Sequence, residues 1–366
     1  MEERTHGVIW HNPDSFFHYN GWPSVAKDDE GTLYVVFSGF RAAHICPFGK
    51  TVLCKSWDDG KTWSAPIIVN DTYLDDRDAG VVCLGGKKIL VSWFAHPVSE
   101  YTTTYSGAIR NSWAGSASVL DQYGTIPPEK GMGGSFVRVS NDGGLTWGPT
   151  VKLPVNTPHG PILKKDGSLL YLGKEHYSYG EETPHVVSAW ESRDDGMTWQ
   201  KLGEVPLPSN SLDTNTQPHS LELDCFHEPH AVELDDGTIL GVVRAQGKEV
   251  DFGFTMYQTI STDGGKTWSE MVPMHICGSP PHLIKHSTGA VILVYGRRTE
   301  PYGERAIISK DGGKTWSDEI TLCETTPCDL GYPASVELSD GSILTVYYQQ
   351  FEKEGFPSIL YTKWKL

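Results

Sequence analysis

The sequence predicts an all-β fold, a six-bladed β-propeller of four-stranded antiparallel blades, and three observations carry that prediction. The first is an eight-residue box, S-x-D-x-G-x-T-W, present five times. It reads SWDDGKTW at 56–63, SNDGGLTW at 140–147, SRDDGMTW at 192–199, STDGGKTW at 261–268 and SKDGGKTW at 309–316. The second is a strand–turn–strand signal that recurs six times, around Gly31, Gly86, Gly167, Gly237, Gly289 and Gly341. An apolar run, a polar turn with Gly and a second apolar run is the pattern of a β-hairpin. The third is composition: 12 Trp, 16 Tyr, 12 Phe and 39 Gly in 366 residues, with no long helix-periodic stretch. Self-similar units of this kind stack into arrays, and aromatic, turn-rich arrays are β.

Taken in order, each unit supplies an inner strand, a hairpin, a second and a third strand, the box as a turn, and an outer strand. VAKDDEGTLYVVF opens blade one, VVCLGGKKILVSWF blade two and ILKKDGSLLYLG blade three. VELDDGTILGVV, LIKHSTGAVILVY and VELSDGSILTVYY open blades four, five and six. The sixth blade has no box. The final PSILYTKWKL is expected to pair with the N-terminal GVIWHN, closing a ring that takes in residues 1–366 as one domain. Within the box, the Asp can accept backbone N–H groups, the Gly supplies positive φ and the Trp packs between sheets. No bidentate acid follows at calcium-loop spacing, so these Asp residues read as structural. The largest insertion, residues 97–134, joins the second and third strands of blade two and reads as a lid or a wall.

Charge narrows the function. The chain carries 30 Lys+Arg against 46 Asp+Glu, a net charge of −16. Such a surface repels nucleic acid and anionic membranes, and no apolar run is long enough to span a bilayer. The start MEERTHGVIWHN shows no secretory signal, and the seven Cys are scattered. Reduced thiols and a cytoplasmic location are therefore expected. His219, Cys225, His227 and His230 alternate along extended chain without a compact ligand motif, so no metal is expected and no cofactor is implied.

In a four-stranded blade the first strand begins, and the second ends, on one side of the disk. Counting back nine residues from each hairpin Gly gives Trp22, Arg77, Pro158, Glu228, Pro280 and Tyr332. Counting forward reaches Arg41, His96, His176, Arg244, Arg297 and Tyr348. A ring rich in Arg, with Glu and Tyr, is thus expected at one mouth of the central channel.

Three segments carry a family resemblance. HEPHAVELDDGTILGVVR places Glu228 and Arg244 16 residues apart, GYPASVELSDGSILTVYY carries Tyr332, and SGFR ends in Arg41. With its five boxes the chain resembles the sialidase (neuraminidase) superfamily of Asp-box propellers. The resemblance implies a retaining exo-α-sialidase-like glycoside hydrolase that takes a sialylated oligosaccharide or glycoconjugate. Tyr332 would be the nucleophile, Glu228 its base, and Arg41 and Arg244 part of the substrate-binding set, to which the forward count adds Arg297. Chemistry supports those residue types: the anomeric carbon of an α-keto acid sugar bears a carboxylate, which guanidinium groups grip and which repels a carboxylate nucleophile.

There are two departures. Where the family has an Arg before a Pro, this chain has NGWP, with Gly21 at the Arg position. Where the family has its acid/base Asp, RAAHICPF offers His44 and Cys46. The nearby LDDRDAG supplies replacements: Arg77 for the missing Arg, and Asp76 or Asp78 beside it for the acid, with Asp75 also in the segment. His44 is the alternative acid and a substrate contact. Two other readings stay open: a propeller that cleaves uronic acid or arabinan chains, and a glycan-binding propeller without catalysis.

Overall fold

The structure, a computed structural model, describes residues 4–175, 186–208, 225–248, 250–326, 329–351 and 355–366. Among them, β1 (Thr5–Trp10) precedes blade one, which is β2 (Tyr19–Lys27), β3 (Leu33–Arg41), β4 (Lys50–Ser56) and β5 (Ile67–Asn70). Blade two begins with β6 (Asp76–Cys83) and β7 (Ile89–Ala95). The insertion follows as three short helices, α1 (Val98–Thr102), α2 (Ser106–Arg110) and α3 (Ser116–Tyr123), before β8 (Gly134–Ser140) and β9 (Val151–Leu153). In blade three the inner strand is split into β10 (Val155–Asn156) and β11 (Ile162–Leu163), both paired with β12 (Leu169–Glu175). β13 (Val187–Ser192) and β14 (Gln200–Glu204) complete it.

Blade four is β15 (Phe226–Glu233), β16 (Ile239–Gln246), β17 (Phe254–Ser261) and β18 (Val272–Pro273). Blade five is β19 (His282–Lys285), β20 (Val291–Arg297), β21 (Gly303–Ser309) and β22 (Ile320–Glu324). Blade six is β23 (Gly331–Glu337), β24 (Ile343–Gln350) and β25 (Pro357–Trp364), and β1 is its fourth strand, with Val8 opposite Leu360. The expected closure is the one observed. Every pairing is antiparallel, and inner strands touch in turn around the ring, β2 lying between β6 and β23.

Sheets covered on both sides are apolar on both sides, which is why β3 reads LYVVFSGFR without polar alternation. Leu33, Val35 and Phe37 of blade one pack on Leu344 and Val346 of blade six. Fully burying side chains of this size contributes about 1.5–3 kcal/mol each. The boxes lock the far side of each blade. In the first, Asp58 accepts the Thr62 N–H at 2.9 Å and the Thr62 hydroxyl at 2.6 Å, while the Ser56 hydroxyl oxygen accepts the Gly60 N–H at 2.9 Å. The geometry repeats at Asp142, Asp194, Asp263 and Asp311. In the second to fifth boxes the second Gly or its equivalent, Gly144, Gly196, Gly265 and Gly313, has no room for a side chain. A Cβ on Gly196 would lie 2.5 Å from Leu90 of the preceding blade.

Three buried histidines meet, His159 from the turn between β10 and β11 and His230 and His282 from the inner strands of blades four and five. His230 and His282 stack at 4.3 Å between ring centroids, and His159 sits edge-on to His282 at 4.8 Å. Nδ1 of His230 accepts the Leu283 N–H at 3.0 Å, and Nδ1 of His282 accepts the Ser335 N–H at 3.3 Å. His159 has no hydrogen-bond partner on either ring nitrogen among the described residues. Burial pushes His159 down to about 3 and lowers the other two as well. Folding therefore holds these rings neutral, and below pH 6.5 the unfolded chain binds more protons. The expected result is a melting temperature that falls as pH drops from 6.5 toward 3. The loss is about 1 kcal/mol per ring for each pH unit. Calorimetry of the wild type and His159→Leu checks it: the variant should show the shallower slope, and equal slopes would refute the account.

Candidate active site

The mouth lies where inner strands begin and second strands end. At that level four inner strands carry a β-bulge, between Gly21 and Ser24, Arg77 and Gly80, His227 and His230, and Gly331 and Ala334. The residue at each bulge has left-handed backbone: Trp22 at φ 52°, Asp78 at 47°, Glu228 at 50° and Tyr332 at 52°. A non-Gly residue held there costs on the order of 1–3 kcal/mol, and such strain clusters at functional sites. The bulges turn these side chains toward the same place.

Tyr332 and Glu228 meet as the sequence predicts. The Tyr332 hydroxyl donates to Glu228 Oε1 at 2.7 Å, and Arg244 Nη1 reaches both the phenol oxygen, at 3.0 Å, and Glu228 Oε2. Burial pushes the Glu228 carboxyl up, but Arg244, with His227 and Tyr332, outweighs it and holds the group well below the usual range. Burial and the Glu228 charge raise the phenol instead. At rest, then, the proton stays on Tyr332 beside an ionised acceptor. Arg244 also bonds Gln246 and lies 4.7 Å over the Phe254 ring.

Arg297 is not the mouth residue. Its guanidinium turns to Glu319 at 3.1 Å and to the Glu300 carbonyl at 3.2 Å. The neighbouring Arg298 takes the inward position, 5.5 Å over the Tyr332 ring and 5.3 Å over Phe254, with Nε and Nη2 unpartnered among the described residues. Behind it lies Glu304, fully buried with both carboxyl oxygens unpartnered, and burial pushes it up to about 8. Strand alternation is the signal that distinguishes the two arginines: Arg298 shares a side with Gly296, which sits seven residues after the hairpin Gly289 as Arg244 sits seven after Gly237.

Arg41 also departs from expectation. It is 0% exposed and clasps Asp75 with both terminal nitrogens, Nη2 to Oδ2 at 2.9 Å, so in this structure it buttresses the mouth and does not open onto it. Arg77 reaches Asp75 at 3.3 Å and the His44 carbonyl at 3.0 Å. Both guanidiniums sit over Trp22, at 4.7 Å and 4.2 Å, which makes that ring the floor of the network. Tyr101 of α1 donates to Asp75, so the inserted helices are tied to the arginine pair. The insertion is helical, and Tyr101, Ile109, Leu120 and Tyr123 give it a core of its own.

The two Asp candidates separate. Asp76 faces away from the mouth, accepting from Asn70 at 2.9 Å and from the Thr72 hydroxyl at 3.0 Å. Asp78 occupies the bulge position. Its Oδ1 is unpartnered among the described residues, and burial pushes it up to about 7 against the pull of Arg77. The one-residue slip has a cause in the turn: blade two closes its hairpin from Leu84 N to Lys88 O, so its glycines fall early relative to the Asp28 N to Thr32 O turn of blade one.

His44 is at the mouth, edge-on to Trp22 at 5.0 Å, and it brings a residue that the sequence did not single out. Asp329, from the segment before β23, bonds His44 Nδ1 and accepts the Tyr348 hydroxyl at 2.6 Å and the Tyr19 hydroxyl. No motif marks Asp329. The missing family Arg is explained by the same rings, since a Cβ on Gly21 would lie 3.2 Å from Tyr19 and 3.6 Å from Tyr348. Among the other sequence candidates, His227 packs beside Glu228, His230 belongs to the buried histidine cluster, and His176 and His219 lie outside the described residues.

Residues 125–345 match the BNR repeat-like domain family, which is more than half the chain. The chain belongs to that family. Curated protein sequences give no match. Its fold is that of the sialidase propellers. It is similar to a Dyadobacter fermentans protein of unknown function at 23% identity and a TM-score of 0.73, covering 99% of this chain and 98% of that one. It is similar to the NanB sialidase of Streptococcus pneumoniae at 14% identity and a TM-score of 0.67, covering 98% and 70%. It is also similar to the intramolecular trans-sialidase of Ruminococcus gnavus at 16% identity and a TM-score of 0.65, covering 98% and 97%. Among the described residues of this BNR repeat protein, no helix is long and apolar enough to cross a membrane.

Proposed function

We propose that this BNR repeat protein is a retaining exo-glycoside hydrolase that releases α-linked sialic acid, or a related ulosonic acid, from glycoconjugates. The observation that carries the reading is the Tyr332–Glu228 hydrogen bond of 2.7 Å, bridged by Arg244 and overlooked by Arg298. A neutral phenol that can pass its proton to an adjacent carboxylate suits an anomeric carbon already bearing a negative charge. Arg244 and Arg298 grip the sugar's carboxylate, and Arg41 and Arg77 with Asp75 fix the floor on which the ring rests. Asp78, which burial pushes up to about 7, is protonated below that pH and then donates a hydrogen bond to a sugar hydroxyl.

A second reading follows from Gly21, which supplies no guanidinium, and from the enclosure of Arg41 by Asp75, which leave a smaller anchor for the anion. That smaller anchor also suits a uronic acid glycoside. A methylumbelliferyl α-sialoside and the matching glucuronide decide between them. Release of fluorophore from the sialoside, with the α-anomer of the free acid appearing first by NMR, is the expected result. Turnover of the glucuronide alone would replace the first reading with the second, and binding to glycans without turnover of either would remove both.

A further inference from the structure

We propose that His44, positioned by Asp329, is the proton donor to the leaving oxygen and the base for the attacking water. This deepens the glycoside hydrolase reading above and rests on it. The geometry is that of an acid–base dyad. A carboxylate only accepts hydrogen bonds, so Asp329 on Nδ1 fixes the proton there and leaves Nε2 for chemistry. Asp329 is itself held by Tyr348 at 2.6 Å and by Tyr19, which also lies 2.9 Å from His44 Nδ1. Among the described residues nothing bonds Nε2, and the side chain is 45% exposed at the open mouth.

Position distinguishes His44 from Asp78. Displacement at a carbon needs the nucleophile and the leaving group on opposite faces, so the donor must stand across from Tyr332. Asp78 is 7% exposed and lies in the field of Arg77 and of the Glu228–Tyr332 pair, whereas His44 feels Asp329, Arg77 and Arg41. His44 and Tyr332 instead border the Trp22 ring separately, at 5.0 Å and 6.5 Å between centroids. The segment bearing His44 also bears Phe48, which packs with Phe17 at 5.3 Å and Trp113 at 6.2 Å, an aromatic rim beside the leaving group.

The steps balance. The Tyr332 oxygen bonds to the anomeric carbon as its proton passes to Glu228. The glycosidic C–O bond breaks, its electron pair goes to the leaving oxygen, and that oxygen takes the Nε2 proton. In the second half, water attacks the anomeric carbon and gives its proton to Nε2. The carbon–Tyr332 bond breaks as the water adds, its electron pair goes to the phenol oxygen, and Glu228 returns the phenol proton.

The groups facing His44 are Asp329 and Tyr19, with Arg77 and Arg41 at its carbonyl. Burial disfavours the imidazolium, Asp329 favours it and the two arginines disfavour it, leaving it below the ordinary histidine value. The donor form is then populated only on the acidic side of the ordinary histidine range. kcat/KM isolates the first half-reaction. His44→Gln should lose about 100-fold or more on a natural α-sialoside with a sugar leaving group, and under about 10-fold on the aryl sialoside. Asp329→Asn should lose less on the natural substrate, with KM unchanged and the alkaline limb of the pH profile displaced. His44→Asp should recover part of the loss and move that limb to lower pH. Equal losses on both substrates, or a loss on the natural substrate that follows Asp78→Asn and spares His44→Gln, would overturn the dyad. A wild-type protein inert toward every α-ulosonide overturns the functional reading and the donor with it. Wild-type turnover with unimpaired His44→Gln overturns the donor alone.

Discussion

Tyr332→Phe is expected to lower kcat by roughly 10³- to 10⁶-fold while leaving the dissociation constant for the sugar acid nearly unchanged. The hydroxyl is the attacking atom in the proposed reaction, and nothing else at the mouth replaces it. Its hydrogen bond goes to Glu228 at 2.7 Å, and Arg244 holds that carboxylate independently, so the variant keeps Glu228 paired and should fold. A fluorinated sialosyl reagent should add its mass to the peptide bearing Tyr332 in the wild type and to no peptide in the variant. Label on another residue, or a Phe variant with full turnover, refutes the Tyr nucleophile. Loss of sugar binding together with turnover would instead mean that the phenol holds the ligand.

Arg298→Ala is expected to weaken transition-state binding of the anionic sugar by roughly 2–5 kcal/mol, about 30-fold to several thousand-fold in kcat/KM. Nε and Nη2 of Arg298 have no protein partner among the described residues, although they are buried over Tyr332 and Phe254. Donors left unmade at such a place are costly unless a ligand or water takes them. The control is its neighbour. Arg297 is engaged with Glu319 at 3.1 Å on the outer side of β20, so Arg297→Ala should stay within about threefold, as for an exposed ion pair. Parallel kinetics on the sialoside check both variants. A large effect at Arg297 with none at Arg298 would place the carboxylate elsewhere.

Those neighbours show where sequence reading loses its grip. Side chains alternate along a strand, so positions seven and nine after a hairpin turn face one way and position eight faces the other. Counting to the first Arg selects Arg297; parity selects Arg298. The same sensitivity moves the blade-two candidate from Arg77 to Asp78, because its turn carries Gly85 and Gly86 ahead of the position that Gly31 fills in blade one. Tyr332, Glu228 and Arg244 survive because their two blades share turn length and bulge position.

By itself the sequence determined the six blades, the five box turns, the closure by the N-terminal strand and the meeting of Tyr332, Glu228 and Arg244 at the candidate site. Each of these rests on local chemistry repeated at a fixed interval: a Gly turn, an Asp that caps its own loop, an alternating strand. The tertiary structure alone decided the rest. It enclosed Arg41 with Asp75, tied α1 to that pair through Tyr101, filled the space beside Gly21 with Tyr19 and Tyr348, and brought Asp329 to His44 across 285 residues. Those partners come from different blades, and no local pattern records which loops meet at the mouth of a closed ring, because closure depends on every blade at once.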